Sequence, residues 1–381
     1  MWSSVDLFSG IGGFALALQG ICRPLLYCDN SARANHVLES AMERGLLPSA
    51  PIVTDVRQLD EIIRAVNKRV VDVVTASWPC VGFSNRGYMR GLADERSALF
   101  HAVVQVIRAL NPRVTIFENV PGILSSNEGE DLHVISKIMY DMGYDIRWTV
   151  MAASDVGAPQ IRARWFCLCS KRGARHPSLP TRLDDGSRTW SRTRMPSPVV
   201  RWQDITPQLF LLGNAIVPQV ARQAMYRLYS GFQGGRAYQR TCAVSDTEKA
   251  TTIRVPKHAW ISQEGRVLPC VAPDTKLPSE SIVLSPNQFR TNLDYVENGA
   301  RPVRSQLITE ARLLRFWPTP RTGAVTHSHN LSERTKFDLS TVAMYASEVN
   351  GKALAQTSDR DRISLRFVEW LMGFPKGYLH S

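Results

Sequence analysis

Residues 3–17 read SSVDLFSGIGGFALA, and the fold is decided here. Ser4–Phe8 has the apolar content of a buried strand, and Gly13–Gln19 has the periodicity of a helix. The turn between them, Asp6-Leu-Phe8-Ser9-Gly10-Ile-Gly12-Gly13, is rich in glycine. Glycine lets a backbone turn tightly and lets a ligand approach the main chain. The spacing is G-x-G-G, so a G-x-G-x-x-G dinucleotide loop is a poor match. Leu25–Cys28 reads as a second strand, and Ser31–Glu43 as a helix capped by Asn30 or Ser31. Asp29 falls at the end of that strand, where a carboxylate typically accepts hydrogen bonds from ribose hydroxyls. Asp55 precedes a further helix and is placed to reach an adenine amine. Taken singly, each carboxylate reads as a helix cap or turn residue. The ordered set of glycine turn, Asp29 and Asp55 points to a nucleoside cofactor.

The same alternation continues outward. Val70–Ala76 is a β-branched run typical of a strand buried on both faces. Leu99, Val103, Val106 and Leu110 recur at helical spacing. Val114–Phe117, Ile146–Val150 and Trp165–Leu168 read as further strands. Strand–helix alternation of this kind predicts an α/β fold, a mostly parallel sheet with helices on both faces. The pattern changes after Ser170. Residues 171–207 are rich in Arg, Ser and Pro and weakly periodic. Ala215–Tyr229 then gives one amphipathic helix, and 233–320 carries many prolines and short β-like runs such as Ser281–Leu284. A helical stretch, Ile363–Met372, closes on Gly373 and Pro375. No internal repeat is evident.

Composition narrows the function classes. The chain has 381 residues, 46 basic and 34 acidic, for a formal net charge of +12. Residues 1–170 hold 16 basic and 17 acidic residues, whereas 171–240 hold 12 basic and 3 acidic. Eleven of those twelve are arginine, the better fork for phosphates and guanine edges. The excess favours an anionic partner, nucleic acid first, although a basic stretch of this kind can also be a solvated linker. The composition excludes collagen, coiled coil and wholesale disorder. No apolar run is long enough to span a bilayer, and the amino terminus lacks the layout of a signal peptide. Seven cysteines without a spacing pattern fit a reducing compartment, and no pair has zinc-ligand spacing, so no metal is expected.

Three clusters carry chemistry. Trp78-Pro79-Cys80-Val81-Gly82-Phe83-Ser84 follows the strand Val70–Ala76, at the sheet edge where ligands bind. Free cysteines are usually buried hydrophobes, as Cys167 and Cys169 in a strand pattern would be. Cys80 instead sits in loop chemistry, where a favoured thiolate can be a nucleophile. Glu118-Asn119-Val120 ends the strand Val114–Phe117, and a carboxylate there is costly unless partnered or used. Gln160-Ile-Arg162-Ala-Arg164 precedes the strand Trp165–Leu168. Alternation puts Gln160, Arg162 and Arg164 on one face if the segment is extended. Two arginines beside a thiol and a carboxylate suit anion binding and thiolate support. Salt bridges on a sheet face are the plainer reading of that segment alone.

Together these residues resemble the DNA (cytosine-5) methyltransferase family, phage- or virus-type members included. Asp6–Gly13 resembles its S-adenosyl-L-methionine loop, and Asp29 and Asp55 its ribose and adenine contacts. Pro79-Cys80 with Phe83-Ser84 resembles its nucleophile loop, Glu118-Asn119-Val120 its acid–base motif, and Gln160-x-Arg162-x-Arg164 its arginine motif. Gly213-Asn214-Ala215-Ile216-Val217-Pro218 resembles its closing helix motif. The resemblance covers about residues 3–170 and 205–229. It implies a Rossmann-like S-adenosylmethionine-dependent methyltransferase sheet and a smaller irregular target-recognition domain. It implies methyl transfer to C5 of a flipped-out cytosine through a Cys80 adduct, with catalytic Cys80, Glu118, Arg162 and Arg164. Cofactor contacts are expected at Asp6, Phe8, Ser9, Gly10, Gly12, Gly13, Asp29, Asp55, Pro79, Leu99 and Asn214. Contacts to double-stranded DNA are expected at Ser84, Gln160, Arg192 and Arg194. The expected organisation is a catalytic domain at 1–170, a basic segment at 171–205, the closing helix at 206–232 and a recognition domain at 233–381. A cytoplasmic monomer is expected, acting in a bacterial or virus-infected cell, or in the nucleus if the source is eukaryotic.

The chain departs from the family pattern in two ways. Val81 stands where glutamine often follows the nucleophile, and Trp78 replaces a small residue before the proline. Only about fifty residues separate Arg164 from Gly213, where the recognition region usually lies, and about 150 follow the closing helix instead. Within that extension, Trp317-Pro-Thr-Pro320 and Arg366–Pro375 resemble segments of phage-type members, the latter also the penultimate helix motif displaced in order. Competing readings are a binding-only relative, an RNA cytosine-5 methyltransferase and an NAD-dependent oxidoreductase. Retention of Cys80, Glu118, Arg162 and Arg164 argues against the first, and the G-x-G-G spacing argues against the last.

Overall fold

The computed structural model describes residues 1–79, 99–160, 162–174, 190, 196, 199–201, 205–233, 259–261, 267–269 and 361–379. The expected alternation is present. The strands are β1 (Trp2–Leu7), β2 (Cys22–Cys28), β3 (Ile52–Val53), β4 (Val73–Ala76), β5 (Val114–Asn119), β6 (Tyr144–Ala152) and β7 (Ala163–Lys171). The helices between them are α1 (Gly13–Ala17), α2 (Ala32–Glu43), α3 (Leu59–Val66), α4 (Leu99–Leu110) and α5 (Glu130–Asp141). Later in the chain come β8 (Val199–Arg201), α6 (Thr206–Asn214), α7 (Pro218–Gln233), β9 (Ala259–Ile261), β10 (Val267–Pro269), β11 (Asp361–Ile363) and α8 (Leu365–Leu371).

The main sheet runs β10-β9-β6-β7-β5-β4-β1-β2-β3. Strands β3, β2, β1, β4 and β5 are mutually parallel. Strand β7 runs antiparallel to both β5 and β6, and β9 and β10 extend the sheet antiparallel beyond β6. The order reverses between β1 and β4, so the crevice outside the carboxyl ends of these two strands is the expected ligand site. The glycine turn follows β1 and Pro79 follows β4, so sequence order alone delivers both to that crevice.

Each face of the sheet carries its own apolar cluster. On one face, Phe14, Leu38, Val220, Ala224 and Phe367 come from α1, α2, α7 and α8 and pack with Ile116 and Leu168. On the other, Ile62, Phe100, Val103 and Ile135 come from α3, α4 and α5 and pack with Val5, Val74 and Phe117. Strand alternation explains the division: Ile116 and Phe117 are neighbours in β5 and point to opposite faces. Helices therefore cover both faces, as the α/β pattern requires.

Two boundaries differ from expectation. The amphipathic helix read from Ala215 starts at Pro218, after a break following α6. Proline at a first helical position gives up only an N–H that would be unpaired there anyway. Residues 361–379 stand inside the first core. Leu365, Phe367, Val368, Leu371 and Phe374 join the cluster of α1 and α7, and β11 pairs antiparallel with β8. The β-like run Ser281–Leu284 lies outside the described residues, as does most of 233–360.

Candidate active site

The glycine turn is built from its ends inward. Ser9 Oγ donates to Asp6 O at 2.7 Å and accepts from Cys28 N at 3.0 Å, which ties the turn to the end of β2. Gly10 N donates to Asp29 Oδ2 at 2.8 Å, and Ser31 N donates to Asp29 Oδ1 at 2.9 Å. Asp29 thus holds the turn and the start of α2 together, and Ser31 itself caps α2. Phe8, Gly10 and Gly12 all have positive φ, at 55°, 53° and 85°. A Cβ on Gly12 would lie 2.6 Å from Leu47 Cδ1, so only glycine fits. Gly10 is the reverse case. Among the described residues a Cβ there would meet nothing within 4 Å, which leaves that face of the turn free for a ligand to approach.

Asp6 ends in a buried position under this turn. Thr75 Oγ1 donates to Asp6 Oδ1 at 2.5 Å, while Oδ2 is buried with no partner among the described residues. Burial raises the Asp6 carboxyl to about 7, against the hydroxyls of Thr75 and Ser9. Burial also raises Asp29, in part offset by the backbone donors Ser31 and Gly10. Asp55 reaches the same edge beyond β3 but is held elsewhere. Arg57 grips its carboxylate at 2.6 Å in the exposed turn before α3, and this keeps Asp55 below the ordinary carboxylate range.

The β5 side carries the acid–base pair. Register places Leu7, Ala76 and Phe117 in one row across β1, β4 and β5. The next residues outward are Phe8, Ser77 and Glu118. Glu118 is 7% exposed, and Arg164 Nε lies 3.0 Å from its Oε1. Burial raises the Glu118 carboxyl, while Arg164 and then Arg162 pull it back. Burial thus favours the protonated carboxyl relative to a surface glutamate, and a guanidinium fixes its direction.

The arginine motif divides its labour. Arg164 makes an ion pair with Glu118. Arg162, 3% exposed, donates from Nη2 to Gly213 O at 2.8 Å and Ala215 O at 2.7 Å. It holds the two carbonyls that flank Asn214, which is exposed at the end of α6. The turn after Asn214 packs on the glycine helix, where a Cβ on Gly13 would lie 3.1 Å from Ile216. Asn214 is thereby carried to the glycine turn. Gln160 was expected at a DNA surface, but it is fully buried and its amide donates to Leu371 O at 2.6 Å. In the fold it is a strut between β7 and α8.

Trp78, unusual before the proline, is buried among aromatics. Its ring centroid lies 5.0 Å from Phe100 and 5.4 Å from Phe117, the latter edge-on. Such pairs contribute about 1 kcal/mol each beyond burial, so the end of β4 is fixed up to Trp78, just before Pro79. Leu99 and Phe8 are partly buried against the same cluster. Cys80, Ser84, Arg192 and Arg194 lie outside the described residues. Among the described residues no group of three or more His, Cys, Asp or Glu is placed to hold a metal ion, and no helix is long and apolar enough to cross a membrane.

A mixed sheet whose order reverses beside the glycine turn, with Glu118 at the end of β5 paired to Arg164 on β7, has a Rossmann-like arrangement with a ligand crevice at its switch point. The model of the C-5 cytosine-specific DNA methylase family matches residues 2–201, and the chain belongs to that family. It is 27% identical over 229 residues to the type II methyltransferase M.CviJI of Paramecium bursaria Chlorella virus IL3A, covering 60% of this chain and 59% of that protein. It is 32% identical over 169 residues to the type II methyltransferase M.HhaI of Haemophilus parahaemolyticus, covering 43% and 48%. It is 33% identical over 179 residues to M1.HphI from the same organism, covering 44% and 46%. The chain spans about half the length of the curated relatives it matches.

Proposed function

We propose that this protein is a DNA (cytosine-5) methyltransferase acting on a flipped-out cytosine at a specific sequence in double-stranded DNA. The observation that carries the reading is the buried Glu118–Arg164 pair on the sheet edge that also bears the open glycine turn and, two residues past Ser77, Pro79. Cytosine C5 is a poor nucleophile until the ring is activated. The Cys80 thiolate adds to C6, and charge develops toward N3. Glu118, raised by burial, holds a proton where it can be given to N3. Arg164 keeps the Glu118 carboxyl aimed across the edge. Once C5 carries the methyl group, N3 returns its proton to Glu118, the C5 proton passes to solvent water, and the C6–S bond breaks to release the Cys80 thiolate and restore the ring. None of these groups reaches a stacked base, so the target must leave the helix.

The residues present fit S-adenosyl-L-methionine. The face at Gly10 and Asp6 Oδ2, both without a neighbour or partner among the described residues, and the carboxylate of Asp29 are the features a nucleoside with a cationic amino-acid tail would engage. That cofactor, when bound, supplies the electrophilic methyl group. Phe8, Ser9, Gly12, Gly13, Pro79, Leu99 and Asn214 complete the proposed surround. Asp55 belongs to it only if Arg57 shares its carboxylate. Ser84, Arg192 and Arg194 are proposed DNA contacts, and a monomer is sufficient for the reaction.

Glu118→Gln keeps the shape and removes the titratable proton. Methyl transfer from labelled cofactor to DNA should fall by about 10² or more, with cofactor affinity unchanged. An undiminished rate would make Glu118 structural.

A further inference from the structure

The carboxyl-terminal segment reaches the glycine turn from behind. Tyr378, 1% exposed, donates from its hydroxyl to Ile11 O at 2.7 Å. Its oxygen would lie 3.1 Å from a Cβ on Gly12. Tyr378 is itself held on both sides. Arg44, at the end of α2, donates to Gly377 O at 2.9 Å and Tyr378 O at 3.3 Å. Glu369, fully buried in α8, accepts from Gly377 N and Leu379 N, each at 2.8 Å. The Phe374 ring lies 5.0 Å from the tyrosine ring. A relay of fixed groups thus runs from α8 to a turn with three residues at positive φ, Phe8, Gly10 and Gly12.

We propose that Tyr378 is a positioning residue for the cofactor, bracing the glycine turn in its binding conformation. This rests on the reading of residues 6–13 as the S-adenosyl-L-methionine loop. The logic is energetic. A turn held at positive φ by Phe8 as well as by glycines is costly to keep, and the free chain would spread over other conformations. Each conformation the brace excludes is one the cofactor need not exclude on binding. Tyr378 bonds the carbonyl between Gly10 and Gly12, whereas the side of Gly10 that a Cβ would occupy has nothing within 4 Å among the described residues. The brace therefore acts on affinity and leaves the reacting groups alone.

The test uses the full chain and two tyrosines. Tyr378→Phe deletes the brace hydroxyl. Tyr144→Phe deletes an equally buried hydroxyl that donates to Pro112 O at 2.7 Å on the opposite face. Calorimetric titration with S-adenosyl-L-methionine should give a Kd raised about tenfold for Tyr378→Phe and unchanged for Tyr144→Phe. Turnover at saturating cofactor should stay within about twofold for both. Hydrogen exchange in the free protein should speed up at Gly10 and Gly12 only in Tyr378→Phe. Wild-type affinity and exchange in a folded Tyr378→Phe would overturn the brace, as would the same Kd change in Tyr144→Phe. If the wild type binds no cofactor, the functional reading fails, and the exchange comparison still decides whether Tyr378 orders the turn.

Discussion

Asp6 stores an uncompensated carboxyl beneath the glycine turn, and this has a measurable sign. Burial pushes its pKa from the ordinary carboxylate range up to about 7 in the fold. Between those values the folded protein binds a proton that the unfolded chain has released. The contribution to stability is therefore full below about pH 4, declines as pH rises through the window and is flat above about pH 7. Asp6→Asn abolishes this titration. Urea melts of the free protein at about pH 5 and about pH 8 should show a smaller loss across the interval for Asp6→Asn than for wild type. Equal losses would mean that Asp6 is not desolvated as the structure has it. The sequence placed Asp6 at the cofactor turn, but nothing in it signalled the Thr75 hydroxyl. That bond joins β1 to β4 across 69 residues and depends on a register no local pattern specifies.

The glycine turn separates folding from binding within one element. Gly10 and Gly12 both sit at positive φ, yet their surroundings are opposite. Gly12→Ala meets Leu47, Tyr378 and Leu38 and should cost about 3 kcal/mol in denaturant unfolding, strain and overpacking together. Gly10→Ala meets nothing within 4 Å among the described residues and should cost only about 1 kcal/mol, the left-handed penalty, while weakening S-adenosyl-L-methionine binding. The reverse ranking would contradict the assignment of the open face to the cofactor. Elements with strong local signals were legible: α2 with its Ser31 cap, α4 with its apolar stripe, and the buried runs of β4 and β5. The break before α7 was not. Leu212, Ala215, Ile216 and Val217 are all buried, so their apolar pattern does not distinguish one long helix from two. The break is fixed from outside, by Arg162 gripping Gly213 O and Ala215 O. The same long-range contact explains why alternation alone put Arg162 beside Arg164. Alternation gives the side of a strand, but not which partner a long side chain finds.

Across the whole molecule, the active edge is assembled from both ends of the chain. The glycine turn comes from residues 6–13, the acid–base pair from 118 and 164, and the support behind the turn from 365–379. The placement of the glycine turn and Glu118 on one sheet edge was legible because each lies at the carboxyl end of its own strand, and the strand order then brings those ends together. The contribution of 361–379 was legible only as a resemblance to a displaced helix motif. Its docking rests on contacts such as Tyr378 with Ile11, 367 residues apart, and Gln160 with Leu371, 211 apart. The central claim, that this edge methylates cytosine through Cys80, is tested most directly in DNA. Base-resolution cytosine methylation sequencing would be run on a host lacking its own cytosine methyltransferases, expressing wild type or Cys80→Ala. The account predicts one methylated sequence motif with the wild type and none with soluble, folded Cys80→Ala. The same motif methylated by Cys80→Ala, or no C5 methylation from folded wild type, would contradict it.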